Sequence, residues 1–213
     1  MNPALPRDAA IRSGLGSYGL SAGVGACVCM GFLWSAQEEP LPALPWAAAF
    51  LFLAVESDVR RLRIPNWLTF GGLAAALGLA ALQGGGAGLL AALAGAGVAL
   101  VVLFVPFAMR WLGAGDVKAM MVLGALWGHE PLLPTLFWIV LAGGALAIAL
   151  VAFRGELLDL CTRWWRSFWI TCSTRKITYF GPAPGSVAGG GLPFAVAIGI
   201  GASTYQLLGA PWL

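Results

Sequence analysis

Charge is scarce in this chain. Only 10% of its 213 residues are Asp, Glu, Lys or Arg, while 60% are hydrophobic. A soluble globular domain carries about a quarter of its residues charged, so the composition excludes that class and points to a polytopic membrane protein. Histidine is nearly absent: His129 stands alone, in a Gly-His-Glu-Pro turn. The four cysteines, Cys27, Cys29, Cys161 and Cys172, form no Cys-x-x-Cys pair. A zinc site would therefore lack ligands of the usual kind and spacing, and no metal or cofactor is expected. No Ser-His-Asp or Cys-His arrangement is recognisable either. With twelve basic residues against nine acidic ones, the small positive excess is explained by membrane topology and does not indicate a nucleic-acid partner.

What is present is a series of apolar stretches approaching the roughly 20 residues that a bilayer crossing needs. They run near 14–34, 41–57, 66–82, 87–109, 116–128, 131–153 and 192–209. This predicts an all-α protein with about seven transmembrane helices, a core of six preceded by an additional N-terminal one. Lys and Arg in short loops stay cytoplasmic. With the amino terminus inside, seven crossings put Arg7, Arg12, Arg60, Arg61, Arg63, Arg110, Lys118, Arg154, Arg163, Arg166, Arg175 and Lys176 on that side. The opposite loops hold Glu38, Glu39, His129 and Glu130. Val24-Gly25-Ala26-Cys27, or the small residues before Gln37, could be read as a cleavable signal. The apolar run continuing to Trp34 favours a retained helix. Residues 1–40 are thus expected to be an extension carrying that helix, and 41–213 the main domain.

Two of the nine acidic residues stand where apolar runs meet basic, Gly- or Pro-marked loops. Asp58 lies in Glu56-Ser57-Asp58-Val59-Arg60-Arg61-Leu62-Arg63-Ile64-Pro65-Asn66, and Asp116 in Gly113-Ala114-Gly115-Asp116-Val117-Lys118. A carboxyl group at a membrane boundary is costly to ionise and is a functional-site hypothesis by default. Each has a plain structural reading beside that one. Asp58 could anchor a helix at the headgroups, and Asp116 could complement a helix N-terminus whose turn the glycines make. Pro65 suits the start of the next helix and fixes a tight hairpin after Asp58. Gly113 and Gly115 remove bulk where a peptide strand could approach. Lys118 projects away from Asp116 on a helix and reads as a headgroup contact. Glu56, two positions from Asp58, faces another way round the helix and reads as a packing or interfacial residue. The chemistry that wants two such acids is aspartyl proteolysis, in which close carboxyls share one proton and activate a water.

These residues resemble the prepilin peptidases, membrane aspartyl proteases of the Gly-x-Gly-Asp type. Asp58 to Asn66 is similar to the family's Asp followed by a basic loop and Ile-Pro-Asn, and Gly113 to Lys118 to its Gly-x-Gly-Asp-x-Lys. Gly191-Leu192-Pro193-Phe194-Ala195-Val196-Ala197-Ile198-Gly199 resembles the Pro-aromatic segment opening the family's last helix. The resemblance implies Asp58 and Asp116 as the catalytic pair, with Gly113, Gly115, Lys118, Pro65, Asn66 and Pro193 shaping the site. It implies an inner-membrane enzyme that removes a short basic leader from a single-span prepilin at the cytoplasmic face, needing no cofactor. Longer members carry a cytoplasmic insert with two Cys-x-x-Cys pairs and also methylate the new amino terminus; no such insert precedes Asp58. The chain therefore resembles the compact subgroup serving tight-adherence (Flp-type) pili. Other Gly-x-Gly-Asp proteases, of preflagellin or presenilin type, are the neighbouring alternative, with Ile-Pro-Asn favouring the prepilin type. A proton-coupled transporter is the alternative from another class, and would want an inverted repeat and carboxyls nearer the midplane.

Between 155 and 180, Leu157, Cys161, Trp164, Trp165, Phe168 and Cys172 recur at helical spacing opposite Arg163, Arg166 and Ser167, which predicts a helix lying flat at the lipid interface. The Gly/Pro run from 181 to 191 reads as a loop, Gly84-Gly85-Gly86-Ala87-Gly88 as a turn, and the small residues of 71–97 as close helix contacts.

Overall fold

The computed structural model describes residues 18–35, 43–109, 111–174 and 192–209. Arg7, Arg12, Gln37, Glu38, Glu39, Arg110, Arg175, Lys176 and the Gly/Pro loop 181–191 lie outside the described residues. The described chain is all-helical, in seven elements: α1 (Tyr18–Ser35), α2 (Leu44–Arg61), α3 (Asn66–Ala108), α4 (Ala114–Trp127), α5 (Leu132–Phe153), α6 (Leu157–Thr174) and α7 (Phe194–Leu208). α3 and α5 are long and apolar enough to cross a membrane. Two compact units result, Met1–Ala142 with Pro193–Leu213, and Gly143–Leu192.

α3 is helical over 43 residues but broken at Gly85, whose φ of 57° and ψ of −141° are open only to glycine. The chain reverses there. A side chain on Gly88 would collide with the carbonyl oxygen of Ala80, and Ala76 shares one packed cluster with Ala92 and Ala96. In a straight helix Ala76 and Ala92 would stand about 24 Å apart. The two expected stretches 66–82 and 87–109 are therefore two antiparallel arms, with the Gly84–Gly86 run as their turn.

Small residues let the first unit's helices touch. Gly72 of α3 leaves space that Phe50 of α2 and Val122 of α4 fill, 2.9 and 3.2 Å from where a Cβ would stand. Gly95 on the second arm faces Gly124 of α4 with main chains in contact. α1 is packed into this unit. Gly25 receives Phe52 of α2, the Cys29 thiol points at the Ala48 carbonyl oxygen at 3.6 Å, and Gly199 of α7 faces Val28. Phe32 is fully buried and stacks on Trp127 of α4 at 5.9 Å.

In the second unit α6 buries none of its residues. Trp164, Trp165, Phe168 and Trp169 are all exposed. The helix and its apolar face are as the spacing predicts.

Candidate active site

Four helix ends meet at one end of the first unit: the C-terminus of α2 and the N-termini of α3, α4 and α7. α2 stops at Leu62, which takes the left-handed conformation (φ 50°) that usually falls to glycine, its N–H donating to the Asp58 carbonyl oxygen at 2.7 Å. The Ser57 hydroxyl donates to the Arg63 carbonyl oxygen at 2.9 Å. The hairpin is thereby tied back to the helix turn that carries Asp58. Pro65 is extended and caps α3, its carbonyl oxygen accepting the N–H of Leu68 and of Thr69 at 3.1 and 3.3 Å. It stands one position ahead of the first helical turn, where its missing N–H is no loss.

This hairpin lies against the start of α4. Ile64, buried, sits 3.4 Å from where a Cβ on Gly115 would be. Lys118 donates to the Asn66 side-chain oxygen at 2.9 Å and lies 4.8 Å from the centre of the Phe70 ring. Lys118, read from sequence as a headgroup contact, thus has protein partners and joins the two motifs. Glu56 forms an ion pair with Arg60 one turn on.

The carboxyls themselves are held by main-chain N–H groups. Asp116 is the third residue of α4, and its Oδ2 accepts the N–H of Gly113 at 3.2 Å. This is the carboxylate half of a capping box, the only half possible because Gly113 has no side chain. Asp58 is 4% exposed, and its Oδ2 accepts the N–H of Ala195, the second residue of α7, at 2.8 Å. Pro193 stands at the cap of that helix. Asp58 lies one residue past the apolar stretch 41–57. Burial pushes its carboxyl above the usual range to about 6, opposed by the Ala195 N–H and assisted by the charge of Asp116. The two acids are thus within electrostatic reach of each other.

The third motif runs through Ala195 but attaches no role to it, because the group that acts is an amide with no side chain to flag it. The one available signal was Pro193, since the first turn of any helix has N–H groups without partners inside the helix.

Two expectations follow from this geometry. A free Asp ionises near 3.9, so the folded chain binds the Asp58 proton more tightly than the unfolded one. Asp58's stabilising contribution is full below about pH 4 and lost as pH rises through 6. Asp58→Asn is expected to be more stable than wild type at pH 7.5, by on the order of 2–3 kcal/mol, and to lose that advantage towards pH 4. Thermal midpoints in detergent at the two pH values measure this, and an unchanged difference would refute it. Second, a Cβ at position 113 would press on Asp116 Oδ2 at 3.0 Å, whereas one at 115 would make ordinary contact with Ile64. Gly113→Ala should displace the carboxylate and lower turnover about tenfold or more. Gly115→Ala should insert and melt like wild type, within about 0.5 kcal/mol; loss of the folded protein in that variant would show the packing at Ile64 to be tighter than described.

Fold and site define a helical membrane protein with paired, main-chain-anchored aspartates at one end of its bundle. Residues 46–148 match the type IV leader peptidase family, which supports a place for the chain among the prepilin peptidases. The matched segment contains both aspartates and ends before α7. No curated protein and no solved structure matches the chain.

Proposed function

We propose that the chain is a membrane endopeptidase that removes the short basic leader of type IV prepilins of the Flp, tight-adherence class, with Asp58 and Asp116 as its catalytic pair. One observation carries the reading. Within a segment that matches the leader peptidases, the Asp58 hairpin and the Gly113–Lys118 motif meet through Ile64, Gly115, Asn66 and Lys118. The ionised carboxyl takes a proton from a water between the two acids, and the oxygen attacks the scissile carbonyl. The protonated carboxyl polarises that carbonyl, and a proton then passes to the leaving nitrogen as the C–N bond breaks. No metal and no covalent intermediate is required.

The enzyme is read as an inner-membrane protein of seven crossings, counting both arms of α3, with the amino terminus and the active site on the cytoplasmic side. Residues 41–213 form the peptidase domain and 1–40 its extension. α6 lies flat among lipid headgroups, its tryptophans inward and Arg163 and Arg166 outward. The single-span substrate keeps its apolar helix in the bilayer while its leader meets the site at the interface.

Co-expression with a Flp-type prepilin, followed by immunoblotting, tests this. A leader-shortened product is expected. An inserted enzyme that shortens neither Flp-type nor other type IV prepilins would overturn the reading, and cleavage of a preflagellin alone would move it to that neighbouring class.

A further inference from the structure

The two aspartates are anchored differently. Asp116 is held by Gly113, three residues back in its own helix start, so acid and anchor move together. Asp58 is held by Ala195, 137 residues away in sequence and on another helix. Ala195 follows Phe194 in the first turn of α7, where main-chain N–H groups find no partner within the helix and the macrodipole presents its positive end. A carboxylate there satisfies the amide, and the amide fixes one of the carboxylate's two oxygens.

We infer that the main-chain amide of Ala195 is a positioning group of the peptidase: by holding Oδ2 of Asp58, it sets which oxygen Asp58 offers to the attacking water and favours the ionised form. The inference rests on the peptidase reading, and extends it to a helix beyond the segment that matches the family. It makes the seat of α7 part of the catalytic geometry, although α7 itself has no acidic or basic side chain. The charged groups on the elements packed around Asp58 are few. α4 brings Asp116 and Lys118, the latter bonded to Asn66; α2 brings Glu56, paired with Arg60, and Arg61, with Arg63 following in the hairpin. The described residues of α1, α3 and α7 carry no charged side chain. Burial raises the Asp58 carboxyl's affinity for its proton and the Ala195 N–H opposes this, consistent with the role.

Ala195→Pro deletes the N–H at a helix position where proline is tolerated, and Ala195→Gly retains it. With purified enzyme and a prepilin substrate, the proline variant is expected to lose about tenfold in kcat with KM little changed. The acidic limb of its kcat/KM profile should move to higher pH by about one unit, because the carboxylate loses a donor that favours its charged form. The glycine variant should follow wild type. A folded Ala195→Pro enzyme with the wild-type pH profile would overturn the inference.

Should the proline variant not fold, amide hydrogen exchange of wild type and Asp58→Ala decides. Exchange in a peptide covering residues 193–198 should rise severalfold in Asp58→Ala, with the rest of α7 unchanged; equal exchange overturns the inference. Because this arm needs no turnover, it is separable from the peptidase reading. A wild-type enzyme that leaves prepilins uncut sinks that reading even where the exchange difference is found.

Discussion

Asparagine at position 58 or at position 116 is expected to give a membrane-inserted, folded protein that no longer shortens the prepilin leader. The geometry separates fold from chemistry at both sites. Each carboxylate accepts one main-chain N–H, from Ala195 or from Gly113. The side-chain oxygen of asparagine can accept the same bond at nearly the same place. What asparagine cannot do is take a proton from water or hand one on. A single general acid–base group is worth about 10²- to 10⁴-fold in rate, and here one carboxyl must be charged while the other is protonated. Losing either leaves no pair to share the proton, so the product should fall below detection in an immunoblot. The structural alternative, in which Asp58 anchors a helix and Asp116 only complements the α4 dipole, makes the opposite forecast: a small loss of stability and near wild-type cleavage. Rates within a few fold of wild type in either variant, at equal abundance, would decide for it. A wild-type pH profile rising and falling on either side of an optimum would add support, because activity then depends on a singly protonated pair.

How far the sequence carried differs between fold and site, for physical reasons. Helix positions follow from local information, namely apolar run length and Pro and Gly punctuation. The stretch expected at 131–153 is helical over Leu132–Phe153, and that expected at 116–128 over Ala114–Trp127. The Gly84–Gly86 turn was visible too, because Gly85 must adopt a conformation closed to other residues. The Glu56–Arg60 pair sits at helical spacing and needs only the helix to form. Lys118 is different. Its partner Asn66 is 52 residues away, so no spacing rule could pair them, and only the packing of the hairpin on α4 does so. Gly113 and Gly115 look equivalent as letters, yet a methyl group at one presses on the Asp116 carboxylate and at the other meets a neighbour at ordinary distance. Ala195 lay furthest from reach, since an alanine carries no chemistry beyond its main chain.

The largest stability effect is expected where no side chain exists at all. Gly95 on the second arm of α3 and Gly124 of α4 cross with main chains touching. A Cβ on Gly124 would sit 2.9 Å from the carbonyl carbon of Gly95 and 3.4 Å from the Ala96 nitrogen, and one on Gly95 would sit 2.8 Å from the carbonyl carbon of Gly124. Because backbone opposes backbone, no rotamer change can relieve the overlap, and the helices must separate. Overpacking a well-filled interior costs about 1–3 kcal/mol where side chains can give way, so Gly124→Ala should exceed about 3 kcal/mol and Gly124→Leu should leave little folded protein. Gly78 and Gly97 lie in the same long helix with open space where a Cβ would go. Alanine there should be neutral or stabilise by up to about 1 kcal/mol through helix propensity. Thermal melting of the four variants in detergent makes the comparison, and a Gly124→Ala protein that melts with the Gly97→Ala one would show that the helices do not cross there. The consequence reaches the chemistry, because α4 carries Asp116 in its first turn and is held against its neighbours by this contact. Any Gly124 variant that stays folded with its helices moved apart should cut slowly while Asp58, Asp116 and Ala195 are all still present.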